Sequence, residues 1–287
     1  MRKLIKAIYN AKSRDVFSKH ISWKLNAEQF ILLSTLPRSG THYLRCVLGN
    51  YLLLLAGNEE KFIDDIGEIF PLNFDFDIYN TKEPIGKTNN KYLSLKKNQY
   101  LSATNIYDIV RCHALPSILF KHFSVIHLYR DPIPFFESYF TYMYGKRMEK
   151  SSIPDNINLI NKHVGYYIGM INSYRNSADP LVAINYKYLI GSSREAISYV
   201  LKFIFGHGYR INSDFLETSI IISSKENTLL RENANHIVNK DARSLRGSFI
   251  DTGEWKVSLS ESDRLYLLGI LAKHDIPEML EDHFVIV

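Results

Sequence analysis

Cysteine is scarce: the 287 residues carry two, Cys46 and Cys112. Two thiols cannot form a disulfide framework in a chain of this length, and their scarcity points to a reducing compartment. No cluster of Cys, His and carboxylates shows ligand spacing, so no metal site is expected. Long apolar runs are also missing. The longest candidate, Val47 to Ala56, is interrupted by Gly49 and Asn50 and falls short of the ~20 residues that span a bilayer. A typical signal peptide is absent. So is the G-x-x-x-x-G-K-[ST] loop that cradles ATP phosphates, which weighs against a P-loop kinase of a small molecule or nucleotide. No linker rich in Pro, Gly or Ser and no internal repeat divides the chain. These absences lead to the expectation of one soluble, cytoplasmic domain over residues 1–287.

Hydrophobic residues make up 46% of the chain, enough for a sizeable core, and 19 Tyr and 16 Phe suggest aromatic-lined cavities. The net charge of +5 suits an anionic ligand, a nucleic acid or an anionic membrane surface. Basic residues concentrate in the first 26 positions, where Arg2, Lys3, Lys6, Lys12, Arg14, Lys19 and Lys24 face one acid, Asp15. Leu4, Ile5 and Ile8 stand at helical spacing there. A surface helix packed on the domain is the favoured reading, and peripheral membrane contact is the alternative. Elsewhere the basic residues are dispersed, so no nucleic-acid partner is expected.

Phe30 to Leu36 reads as a buried strand ending at Pro37, and apolar residues at Leu44, Val47, Leu48, Tyr51 and Leu52 predict a helix from Thr41. Ser124 to Tyr129 is a second strand, with Asp131-Pro132 opening a helix to about Tyr144. Leu181 to Asn185 is a third strand, followed by a helix near Ser193 to Phe205. Ser260 and Asp263 resemble a capping box before a helix through Leu271. Alternating strands and helices predict an α/β fold, a mainly parallel central sheet with helices on both faces. Gly57 to Asn105 yields no clear pattern.

Four motifs carry chemistry. Leu36-Pro37-Arg38-Ser39-Gly40-Thr41-His42-Tyr43 is a turn between strand and helix, where backbone N–H groups and the helix dipole form an anion cradle. Gly40 lets the backbone come close, Arg38 adds a charged donor, and Ser39 and Thr41 add hydroxyls. Tyr129-Arg130-Asp131-Pro132 ends the second strand, at the sheet edge where open α/β folds bind ligands, with Ser138 two helical turns later. Taken alone, Arg130 reads as a surface arginine and Ser138 as an ordinary helix serine. Arg111-Cys112-His113-Ala114-Leu115-Pro116 precedes that strand, and Arg246-Gly247 with Gly253-Glu254-Trp255-Lys256 precedes the last helix. A lone histidine is usually structural, and a basic turn needs no ligand.

Their combination and order change this. Pro-Arg-Ser-Gly-Thr-His-Tyr resembles the 5′-phosphosulfate loop of the sulfotransferases that use 3′-phosphoadenosine 5′-phosphosulfate (PAPS). Arg-Asp-Pro with Ser138 resembles their 3′-phosphate motif. Arg-Cys-His-Ala-Leu-Pro is similar to the Lys-Thr-His-Leu-Pro segment of the cytosolic sulfotransferases, Asn185-Tyr186-Lys187-Tyr188-Leu189 to their Tyr-Glu-Asp-Leu segment, and the last run to their Arg-Lys-Gly … Gly-Asp-Trp-Lys signature. The five occur in family order from Pro37 to Lys256.

The resemblance implies a P-loop-like phosphosulfate turn. Arg38, Ser39, Gly40, Thr41 and His42 would grip the 5′-phosphosulfate, Arg130 and Ser138 the 3′-phosphate with Arg246 and Gly247, and Tyr186 the adenine side. It also implies a metal-free transfer of the sulfuryl group from PAPS, leaving PAP, to a hydroxyl or amine of a small acceptor. His113 would be the general base, with Arg38 and Arg111 beside the transferred group. The pattern departs from the family in places. Arg38 stands where lysine is usual, keeping the charge and adding a planar fork, and His42-Tyr43 replaces Thr-Trp. The late spacing is longer, so Arg243 could share the role of Arg246. The C-terminal dimer motif is missing, which leaves the oligomeric state open. Acceptor loops are expected at Phe62 to Leu101 and Met143 to Tyr174, for a polar acceptor such as a sugar, a natural product or a phenol.

Overall fold

The computed structural model describes residues 30–57, 73–74, 101, 108–112, 124–144, 155–177, 180–227 and 257–286. Six strands form one sheet: β1 (Phe30–Thr35), β2 (Asn73–Phe74), β3 (Asp108–Cys112), β4 (Ser124–Tyr129), β5 (Leu181–Asn185) and β6 (His283–Ile286). Their order is β2-β3-β1-β4-β5-β6. The first five are parallel, and β6 runs antiparallel along β5. Helices α1 (Thr41–Leu55), α2 (Pro132–Tyr144), α3 (Asn156–Arg175), α4 (Tyr186–Gly191), α5 (Ser193–Phe205), α6 (Ser213–Ile222) and α7 (Glu261–Ala272) complete the described elements. None of the described helices is long and apolar enough to cross a membrane.

The strands are apolar throughout because both faces of a parallel sheet are covered. Side chains alternate between two cores. Leu32, Val125, Tyr129, Leu181 and Ala183 pack with Phe135, Phe136 and Phe140 of α2, Ile160, Tyr167 and Tyr174 of α3, and Leu267 and Leu271 of α7. Ile31, Leu33, Ile126, Leu128, Val182 and Ile184 pack with Leu44, Val47, Leu48 and Tyr51 of α1 and with Ile197, Val200 and Leu201 of α5. Each fully buried Phe or Leu contributes roughly 1.5–3 kcal/mol over its exposed state.

This alternation places the site. Strands β1 and β4 are parallel neighbours, with Thr35 in register with Leu128. The helix after β1 goes to one face of the sheet and the helix after β4 to the other. Adjacent strands whose connections part in this way open a crevice at their C-terminal ends, the usual ligand position in open α/β sheets.

Where the sequence predicts strands at Phe30 to Leu36, Ser124 to Tyr129 and Leu181 to Asn185, β1, β4 and β5 form. The structure adds β2, β3 and β6, none of which carries the unbroken run of four apolar residues that marks β5. It also corrects one expectation. Met143 to Tyr174, read as an acceptor-side loop, contains most of the 20-residue α3. Leu159, Ile160, Val164, Tyr167, Ile171 and Tyr174 all face its core, at helical spacing.

Candidate active site

The crevice is walled by the turn after β1. The Leu36 N–H donates to the Leu128 carbonyl at 2.9 Å, extending the β1–β4 ladder by one rung. Ser39 is fully buried, and its hydroxyl lies 2.5 Å from the Leu36 carbonyl and 3.1 Å from the Leu128 carbonyl. That hydroxyl, expected as a ligand donor, has its proton directed at backbone acceptors, so in this arrangement Ser39 shapes the turn. Arg38 and Gly40 both take left-handed conformations, with φ of 65° and 88°. Glycine is required at position 40 for a second reason: a Cβ there would lie 2.8 Å from Cδ2 of Tyr186 and 3.0 Å from Cδ2 of Leu189.

Helix α1 starts at Thr41 with Gly40 as its cap. No side chain caps it and no acid occupies its first turn. Among the described residues, no capping side chain and no first-turn acid answers the positive end of the helix dipole.

Arg130 enters from the end of β4. Its Nη1 donates to the Arg38 carbonyl at 3.2 Å, and its guanidinium lies over the Tyr186 ring, 4.6 Å from the centroid. Arg38 lies over Tyr142, 5.3 Å from that centroid. Burial lowers the pKa of both arginines; repulsion from Arg38 lowers Arg130 further, while Tyr186, Asp131 and Glu137 oppose the change. Both remain cationic at any relevant pH. Two guanidiniums repelling each other at an uncapped helix end form a site that an anion of two or more charges would relieve.

Residues outside the predicted set hold these groups in place. The Tyr167 hydroxyl of α3 donates to the Arg130 carbonyl at 2.8 Å. Oδ1 of Asp131 accepts from Asn185 Nδ2 at 2.8 Å and from the Leu280 N–H at 3.0 Å. Asn185 in turn caps α4, its Oδ1 accepting from the Lys187 N–H at 3.0 Å, which fixes the start of the helix bearing Tyr186. Asp131 therefore ties β4, β5 and the C-terminal segment together. The Arg-Asp-Pro motif had drawn attention to its arginine alone. Tyr142 was equally legible, four residues beyond Ser138 and so on the same face of α2.

The predicted residues Arg38, Gly40, Arg130 and Tyr186 thus converge, with Thr41 and His42 opening α1 and Ser138 on α2, half-buried. Arg111 lies in β3, its Cα in register with Leu33 and Asn73. His113, Arg243, Arg246, Gly247 and the 1–26 segment lie outside the described residues. Cys112, which precedes His113, pairs with Ser34, so β3 ends at the same sheet edge as the turn.

No protein-family model matches the chain, and no curated protein does. Solved structures do. Mouse sulfotransferase SULT7A1 complexed with PAP superposes with a TM-score of 0.55 at 16% identity, over 86% of this chain and 84% of that one. Retinol dehydratase in complex with androsterone and inactive cofactor PAP gives 0.59 at 13% identity, over 94% and 88%. The chain has the sulfotransferase fold. Within the sulfotransferase fold of this molecule, the cation pair lies where β1 and β4 send their helices to opposite faces.

Proposed function

We propose that this protein is a PAPS-dependent sulfotransferase of the cytoplasm that sulfates a hydroxyl or amine of a small, polar acceptor. The observation carrying this reading is the bond from Arg130 to the Arg38 carbonyl, which joins the expected 3′-phosphate and 5′-phosphosulfate motifs in one crevice. The two solved structures of this fold, both containing PAP, support it.

PAPS, when bound, supplies an activated sulfuryl group with PAP as its leaving group. The residues present fit such a ligand: an uncapped helix end and two guanidiniums suit its anionic groups, and the Tyr186 ring suits its base. Arg38, Gly40, Thr41 and His42 would hold the 5′ side, with Ser39 keeping the turn in shape. Arg130 and Ser138, joined by Arg246 and Gly247, would hold the 3′-phosphate. His113 takes the acceptor proton as the acceptor oxygen or nitrogen bonds to sulfur and the sulfur–oxygen bond to PAP breaks. An imidazole suits this role because its ordinary pKa lies near working pH, and general-base help is worth ~10²–10⁴-fold in rate. Arg38 stabilises charge arriving on the leaving oxygen, assisted by Arg111 or His42, with positioning and electrostatics as the main sources of rate.

The test is transfer of labelled sulfate from PAPS across an acceptor panel. His113→Ala should lose turnover while keeping its affinity for PAP. Turnover equal to the parent would remove His113 from the mechanism, and transfer of phosphate from ATP instead of sulfate would favour a kinase.

A further inference from the structure

Arg38 is held from two sides. Its carbonyl accepts from Arg130, and its guanidinium lies over the ring of Tyr142, 5.3 Å from the centroid. Tyr142 stands near the end of α2 and is 52% exposed. A ring half in water contributes little to the core, so packing alone gives no reason for it to stand there. A guanidinium within about 6 Å of a ring centroid makes a cation–π contact.

The shape of that contact decides what it can do. An arginine laid on a ring uses its flat face, whereas its five N–H donors radiate in its own plane. A flat stack of this kind would hold the group without consuming the edge that would meet an oxyanion. Arg130 on Tyr186 repeats the arrangement at 4.6 Å. Arginine also has a long flexible side chain, and ordering it at the moment of binding costs affinity that prior ordering spares.

We propose that Tyr142 is a positioning residue that fixes the plane of the Arg38 guanidinium, so that its edge donors face the phosphosulfate. The inference rests on the sulfotransferase reading and deepens it. Tyr142 acts through Arg38, so its effect follows the electrostatics of the ring face rather than its size.

The test uses the full chain and PAP binding by calorimetry. Position 142 carries in turn Trp, Tyr, Phe, 3,4,5-trifluorophenylalanine and Leu. Affinity should fall along that series, by roughly three- to thirty-fold from Phe to Leu, the range of a cation–π contact from exposed to desolvated settings. Trifluorophenylalanine should behave like Leu although it keeps the aromatic shape. In an Arg38→Gln background the five should converge on one affinity. Equal affinities for Phe and trifluorophenylalanine, or the same loss for Tyr142→Leu with and without Arg38, would show mere packing and overturn the proposal. Failure of the parent chain to bind PAP at all would overturn the sulfotransferase reading along with it, a result distinct from either.

Discussion

Helices α1 and α7 meet the problem of unsatisfied first-turn N–H groups in opposite ways. At α7, the Ser260 hydroxyl accepts from the Asp263 N–H at 3.2 Å, and Asp263 Oδ2 accepts from the Ser260 N–H at 3.0 Å and from Asn156 Nδ2 at 2.9 Å. Glu261 adds a second acid to that turn. At α1 the cap is glycine and the first turn carries no acid, while Arg38 and Arg130 bring two cations beside it, Arg130 with Asp131 and Glu137 within electrostatic reach. A helix end that supplies its own acceptor and carboxylate is optimised for the folded chain alone. One that withholds both, and adds positive charge, is optimised for a ligand that brings the negative charge. Stability given up at α1 is what the proposed binding of an anion there would account for.

Substitutions can break or sharpen this contrast. The largest effect is expected from Arg130→Gln, which removes a cation from the crevice and its tie to the turn. Calorimetry should find PAP affinity down roughly a hundredfold, in line with the loss of charge-assisted hydrogen bonds. Next comes Gly40→Ala, where the left-handed backbone and the contact with Tyr186 both resist a Cβ. It should cost roughly 1–3 kcal/mol in denaturant unfolding and also weaken PAP binding, because Tyr186 must move. Smallest is Ser260→Ala at the self-sufficient end, about 1 kcal/mol of stability with PAP affinity kept at the parent value. Equal damage to PAP binding from Ser260→Ala and Gly40→Ala would erase the distinction.

Acid sharpens the same contrast. Burial pushes the Asp263 carboxyl up, but hydrogen bonds from Asn156 and Ser260 outweigh it and leave the pKa below its ordinary value. A carboxylate whose folded pKa is depressed stabilises the fold above its unfolded value near 4, and that contribution is lost as pH falls through the folded value. Urea midpoints between pH 5 and 3 should therefore drop more steeply for the parent than for Asp263→Asn.

Much of the site was legible because its residues sit at strand ends, where pattern and chemistry coincide. Arg38, Gly40 and Arg130 each follow an apolar run, and Tyr186 follows Leu181–Asn185 directly. The capping box at Ser260 was legible for the same reason, being written in four consecutive residues. The supports were not. Asp131, Asn185 and Leu280 meet across 149 positions of chain through side-chain bonds that no local period announces. Tyr167 reaches the Arg130 carbonyl from a helix taken for a loop, and the Ser39 hydroxyl turned out to face backbone carbonyls because the turn is tight. Strand β3 escaped because it spans five residues with a charge at each end of its apolar pair, Asp108 and Arg111 around Ile109 and Val110.

The central claim is that the uncapped end of α1 and the cations beside it form a nucleotide-bisphosphate site. Thermal unfolding of the full chain, with PAP in one arm and ATP with magnesium in the other, tests it most directly. A ligand at a hundred times its Kd stabilises the fold by about 2.7 kcal/mol. PAP should therefore raise the midpoint by several degrees, ATP with magnesium should raise it less, and Arg130→Gln should cut the PAP shift to a small fraction of the parent's. A larger shift with ATP and magnesium, or a PAP shift of parental size without Arg130, would contradict the account.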